Sequence, residues 1–557
     1  MRKQTKIAAL VSATALLALG ASITSFAAAR GTWMLVDGEW YCYDSNGDPY
    51  EDTFCVSNGK DYYVGEDGML VRSSWVEYDG DQYFVNSAGQ KITSDWRLTT
   101  PYDDEDAEEE WYYFQASGKM ATNKKIVYKG NTYFFNADGK MLTGWVTAEG
   151  GDVVNEENNI DSANTFYADE TGARVEGDWV LTVEPGIEED DADADYYWYY
   201  LLSSGKVATG KRNNIKGQTY FFNTEGQMLS GWVKGEPGAD GKMEYSEIDG
   251  ETTAEPLVYG EDVSYYYCGG SDDGHAKKNK WIKLWRPEDT YEEDDDNTQY
   301  WYWIDKNGEV FVPNVHDDEK AARGDKYQLE DGALVEKADN LYIVKKKINS
   351  KDYFFNEAGE MLSQFIYITN ASEELPVGMY YFGGSDDGSM KTGSETVKDD
   401  NLDSFKFYFG TKDVGNDEDG YTERKGVGIT GNKSNKLYYM GHLVAAQDYR
   451  YQPVEIDGYT FIVNSNGSIQ HSTVQYKEDG DVLIDASKLE KEDFVTEGWN
   501  KYAVRNDNDA MSRLVIKVDN LDPEAIMAVD TTPAPESSSD ATESDSNAVE
   551  SGTNTAQ

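Results

Sequence analysis

YFFNADGKMLTGWV, residues 133–146, is the stretch on which the reading of this chain turns. The text returns as YFFNTEGQMLSGWV at 220–233 and as YFFNEAGEMLSQFI at 353–366, with a looser copy, YFVNSAGQKITSDW, at 83–96. Self-similarity of this kind marks a repeat architecture in which each copy is one small unit buried against its neighbours. Function is therefore sought between copies.

Each copy reads as a β-hairpin. Tyr133, Phe134 and Phe135 are strand formers, Asn136-Ala137-Asp138-Gly139 is a turn, and Met141 to Val146 is the expected return strand. A second turn, such as Lys129-Gly130, joins one copy to the next. Copies start near Tyr41, Tyr62, Tyr83, Tyr112, Tyr133, Phe166, Tyr199, Tyr220, Tyr266 and Tyr302. They continue at Tyr327, Tyr353, Tyr380, Tyr408, Tyr438 and Tyr459. Acidic insertions interrupt them at Pro101–Glu110, Glu188–Asp195 and Tyr291–Asn297, each followed by an aromatic run. Insertions on the turn side of a hairpin cost little chain entropy.

Composition bounds the class. The chain has 557 residues, 50 Lys+Arg against 104 Asp+Glu, a formal charge of -54, and 13% aromatics. So many rings in so acidic a chain require an ordered interior, and the acidity argues against nucleic acid as a partner. Residues 1–29 combine Arg2, Lys3 and Lys6 with an apolar run and a small-residue end at Ala27-Ala28-Ala29, the pattern of a secretory leader. No later run reaches membrane-helix length, so a secreted protein with no membrane span is expected. The expected plan is a leader at 1–29, repeats at 30–473, a β-rich cap at 474–530 and a disordered tail at 531–557. Without a hydrophobic anchor at its end, the mature chain is expected to be released or held non-covalently. Cys42 and Cys55 either pair across neighbouring strands or are ordinary strand residues.

Alternation sends Trp111 and Tyr113 to one face of a strand and Tyr112 and Phe114 to the other. Half or more of the rings are accounted for as the thin core of such an array. Aromatics on both faces of so narrow a unit exceed that need, and rings left at junctions would wall shallow notches. Such notches suit a quaternary ammonium, through cation–π attraction, or a sugar face.

The pattern W-Y-Y-F…G-K-M…T-G-W resembles the choline-binding, or cell-wall-binding, repeat of Gram-positive surface proteins, and the related repeats of glucan-binding enzymes and clostridial toxins. That resemblance implies a left-handed β-solenoid of hairpins holding ligand between consecutive units. It places Trp145 and Trp232 at the family's Gly-Trp position and Trp75, Trp96, Trp179 and Trp281 at the same position without the Gly. Trp111 and Trp198 match the first-strand aromatic, Tyr133 and Tyr220 the ring from the following copy, and Met141 and Met228 the methionine. The implied partner is a wall polymer carrying choline, such as a teichoic acid, or a polysaccharide. The implied place is the cell surface.

Catalysis is not expected. His275, His316, His442 and His471 stand singly, and no catalytic motif appears in 474–530, the longest stretch outside the repeats. Asp191, Asp193 and Asp195, and separately Asp417 to Gly420, are fragments of calcium-loop patterns that lack the remaining ligands, so no metal and no cofactor is expected. The rivals to wall binding are a glycan-binding adhesin, an enzyme hidden in the C-terminal stretch, and a structural spacer.

Overall fold

In a computed structural model, residues 28–149, 152–153, 164–187, 194–248, 256–287, 299–317, 319–415, 423–506 and 508–524 are described. Most of the leader, the tail, Asp191, Asp193, Asp417 to Gly420 and much of the second and third acidic insertions lie outside them. The strands of the described residues pair antiparallel and are joined by turns, with a 3-10 turn at Lys491–Asp493 and a short α-helix at Asn508–Arg513, and the expected all-β array of stacked hairpins is the fold. No helix among them is long and apolar enough to cross a membrane.

The turns explain the unit. Lys124–Tyr128 pairs antiparallel with Asn131–Phe135 across Lys129 (φ 48) and Gly130 (φ 91). Two successive left-handed residues twist the chain in the same sense as the strands, so a full ladder grows from this turn. The Asn136-to-Gly139 turn is of another kind. Asn136 Oδ1 accepts from the backbone N–H groups of Asp138 at 3.1 Å and Lys140 at 2.8 Å. Its return pairing is a single bridge, Phe135 to Met141, before Gly144 at φ 74 starts a new strand, Gly144–Glu149. This corrects the expected unit: Lys129-Gly130 turns the hairpin, the Asn-x-x-Gly turn separates hairpins, and Trp145 opens the next one.

The bridging segment stitches the array. Met141 N–H donates to Trp111 O of the preceding hairpin at 2.9 Å, while Leu142 N–H donates to Phe134 O of its own hairpin at 2.9 Å. Met120, Arg174, Val207 and Met228 repeat the long-range bond, to Gln82, Thr132, Thr165 and Trp198. Glycine in the next turn is fixed by the same packing: a Cβ on Gly139 (φ +77) would lie 2.5 Å from Met120 Sδ.

The chain divides into two compact units, Met1–Met228 and Leu229–Gln557. The first is a succession of hairpins. In the second, Trp232–Pro237 pairs with Ser264–Tyr267 and Lys280–Leu284 with Tyr300–Ile304, after which the hairpins widen. Tyr327, expected to begin a copy, instead lies on Ala321–Glu330, the central strand of a five-stranded sheet that fuses the hairpins on either side. Strand Val504–Arg505 pairs with the last repeat hairpin at Tyr459 and Thr460, covering its edge. Cys42 and Cys55 are free and buried, so the ordinary-strand alternative is the one adopted.

Candidate ligand-binding site

One position organises the junctions: the first or second paired residue at the start of a hairpin's ladder. Register alignment puts Trp75, Trp96 and Lys125 there in three successive hairpins, opposite Phe84, Tyr113 and Phe134. Next come Trp145, Trp179 and Lys211, opposite Tyr167, Tyr200 and Phe221. In the second unit Trp232, Trp281 and Lys345 repeat the series. The array therefore has a period of three hairpins, and the two tryptophans within each period sit in different surroundings.

The first tryptophan of each period is locked. Trp75 Nε1 donates to Thr100 O at 2.9 Å, Trp145 Nε1 to Val183 O at 2.9 Å and Trp232 Nε1 to Trp285 O at 3.2 Å. In all three cases the acceptor is the residue directly after a strand, Asp95–Thr99, Asp178–Thr182 or Lys280–Leu284, on the connection that goes on to carry an acidic insertion. The partner tyrosines Tyr112, Tyr199 and Tyr302 lie 4.9, 4.7 and 5.0 Å away, centroid to centroid, and are sealed at 1%, 0% and 0% exposure. Burial pushes the Tyr112 phenol up to about 12, since its charged form would have no solvent.

The second tryptophan of each period is not locked. The indoles of Trp96, Trp179 and Trp281 make no hydrogen bond among the described residues. Trp96 meets Tyr133 of the following hairpin at 4.9 Å, Tyr113 at 5.2 Å and Trp111 at 6.3 Å, edge to face. Trp179 repeats this with Tyr220 at 4.8 Å, Tyr200 at 5.1 Å and Trp198 at 6.3 Å. Met141 and Met228 pack against these clusters from the following bridging segments. Trp111 is 38% exposed, so one wall of the first cluster faces solvent. A two-indole, tyrosine and methionine corner offers π-faces and a polarisable sulfur, with no charged group among its ring walls.

The twelve sequence-predicted residues thus fall into two groups. Trp96, Trp111, Tyr133 and Met141 come together, as do Trp179, Trp198, Tyr220 and Met228, and Trp281 holds the matching place in the second unit. Trp75, Trp145 and Trp232 are placed apart from these, in the locked junctions. Sequence reasoning missed the companions of Trp281, which are Tyr353 at 4.8 Å, Trp303 at 5.4 Å and Met361, with Trp301 beside them. Their signal was available, because Trp301 follows an acidic insertion as Trp111 and Trp198 do. This third cluster is furnished differently: Lys283 Nζ lies 5.9 Å over Trp301, and Asp386 accepts from both Lys283 at 2.8 Å and Trp301 Nε1 at 3.0 Å.

The surplus of rings on both faces has a structural account as well. Tyr112 and Phe114 pack on Trp75 of the hairpin before, while Trp111 and Tyr113 pack on Trp96 of their own, so stacking itself uses both faces. Near the N-terminal end, Lys91 occupies the position of Met141. Its ammonium lies 4.7 Å over Phe54 and 5.7 Å over Tyr83, held by Asp61 at 2.5 Å. A cation of the protein itself fills that aromatic corner. Among the described residues no group of three or more His, Cys, Asp or Glu is placed to hold a metal ion.

Residues 105–144 match the family model for the choline-binding repeat, a segment that includes Trp111, Tyr133 and Met141. Glucosyltransferase-S of Streptococcus mutans is 25% identical over 197 residues, covering 35% of this chain and 11% of that protein. Glucosyltransferase-I of Streptococcus downei is 22% identical over 507 residues, covering 84% of this chain and 28% of that protein. The chain thus spans well under a third of either curated relative. Among solved structures, the choline-binding domain of CbpL from Streptococcus pneumoniae aligns at 22% identity and a TM-score of 0.27, over 44% of this chain and 96% of that domain. The match starts within the first insertion and ends at Gly144, so it takes in three members of the first open cluster and leaves out Trp96, and the expected resemblance stands for this segment: residues 105–144 are a choline-binding repeat.

Proposed function

We propose that this protein is a secreted, non-catalytic, wall-associated repeat protein that holds choline-like groups of a Gram-positive envelope polymer in its unlocked junctions. The observation that carries this reading is the duplicate cluster. Trp96, Trp111, Tyr133 and Met141, and again Trp179, Trp198, Tyr220 and Met228, share one geometry, while the tryptophans of the neighbouring junctions are tied to backbone carbonyls. A ring contributes about 0.5–2 kcal/mol to a bound cation, so one cluster holds choline at about the millimolar level. Retention on a wall then comes from several clusters engaging one polymer at high effective concentration.

Choline titration monitored by tryptophan fluorescence tests this. The wild-type response should saturate, and a Trp111→Ala/Trp198→Ala variant should lose most of it, together with choline-reversible pull-down by isolated walls. Two curated relatives bear the name glucosyltransferase, which favours a glucan as the second reading. A response to glucan with silence toward choline would select it. Lysis of walls by the purified chain would overturn the non-catalytic reading.

A further inference from the structure

A cavity of about 620 Å³ opens in the first unit, away from the unlocked clusters, where the first insertion folds back over earlier hairpins. Its rings are Tyr63, Trp75, Tyr78 and Tyr102. Tyr102 stands edge-on to Trp75 at 6.2 Å, and Tyr63 to Tyr78 at 6.4 Å. Three carboxylates, Asp52, Glu77 and Asp79, share the lining, and no lysine or arginine does. Tyr63 donates its hydroxyl to Asp52 Oδ1 at 2.5 Å and Tyr102 donates to Glu77 Oε2 at 3.1 Å, which fixes both carboxylates beside the rings. Each retains lone pairs beyond the bond it accepts. All three carboxylates are exposed to solvent at the mouth, Asp79 at φ 55 in the hairpin turn.

This chemistry differs from that of the unlocked clusters. A quaternary ammonium has no N–H to satisfy, so rings and a thioether suffice for it. A primary or secondary ammonium carries N–H donors that are costly to desolvate unless acceptors meet them. Rings beside fixed carboxylates supply both cation–π attraction and charge-assisted hydrogen bonds. The volume lies within the range of small-ligand pockets. We propose that this cavity is a second cation site, selective for aliphatic ammonium groups that carry N–H, of the polyamine or lysine side-chain kind.

The test is calorimetric titration of the full chain with spermidine, with cadaverine and acetyl-lysine methylamide distinguishing a free polyamine from a lysine side chain. Because so acidic a protein attracts any polycation, the measure is a comparison of variants. Glu77→Gln/Asp79→Asn and, separately, Tyr102→Ala should each weaken spermidine binding about tenfold. Glu105→Gln/Glu108→Gln, which removes two exposed carboxylates of the same insertion outside the cavity, should change it less than about twofold. Saturating choline should not displace spermidine. Equal loss in cavity and control variants, displacement by choline, or the absence of saturable binding would each overturn the proposal.

Discussion

Lys91 and His442 show how one side chain sets the behaviour of its surroundings. Lys91 places its ammonium over Phe54 and Tyr83, in the position that the array gives to Met141 elsewhere. Lys91→Met should vacate that corner, and equilibrium dialysis should then find about one more choline bound per chain. Unchanged stoichiometry would show that the Phe54 corner cannot serve as a site. His442 is buried against Phe407 and Phe405, and desolvation pushes its pKa down to about 4. Unfolded histidine titrates at about 6.5, so between these values the unfolded chain takes up a proton that the native one refuses. This contribution to stability is intact above about pH 6.5 and is lost as pH falls toward 4, by on the order of 3 kcal/mol at full development. Urea midpoints at about pH 7 and about pH 4.5 should fall further for wild type than for His442→Phe.

At the scale of the hairpin, the connections that carry the acidic insertions act through the residue that leaves the strand. Thr100, Val183 and Trp285 each present a carbonyl to the indole of the hairpin before, which ties that indole to backbone. Trp145 and Trp179 should therefore respond oppositely to the same substitution. Trp145→Phe loses a part-buried hydrogen bond and ring volume, costing about 1–2 kcal/mol in urea unfolding while choline binding stays as it was. Trp179→Phe should cost less stability and lower choline affinity about fivefold at its cluster. If Trp145→Phe is the one that loses choline, the division into locked and unlocked junctions is wrong.

For the whole molecule, charge dominates. A formal charge of -54 on 557 residues means that folding concentrates like charges, and screening should relieve the strain. Raising salt from about 0.01 to about 0.15 M shortens the Debye length from about 30 to about 8 Å, so the thermal midpoint should rise over that range. A midpoint that falls would show that attractive pairs such as Lys91–Asp61 and Lys119–Asp81 outweigh the net repulsion.

The sequence by itself determined that this chain is a stack of small antiparallel units, and it supplied the residues of the first two clusters. Strand alternation, the Lys-Gly turn and the Asn-x-x-Gly turn are local properties, written within a few residues of where they act. The hairpin boundary was misread because both turns are legible locally, while the pairing that tells them apart is made with neighbouring segments. Which tryptophan is locked was decided only by tertiary structure, since the acceptors of Trp75, Trp145 and Trp232 lie 25, 38 and 53 residues away in the chain. Lys91 over Phe54 and the cavity beneath Tyr102 arise in the same way. Repetition announces what a unit is, but the contents of a junction depend on what two or three separate units place against one another.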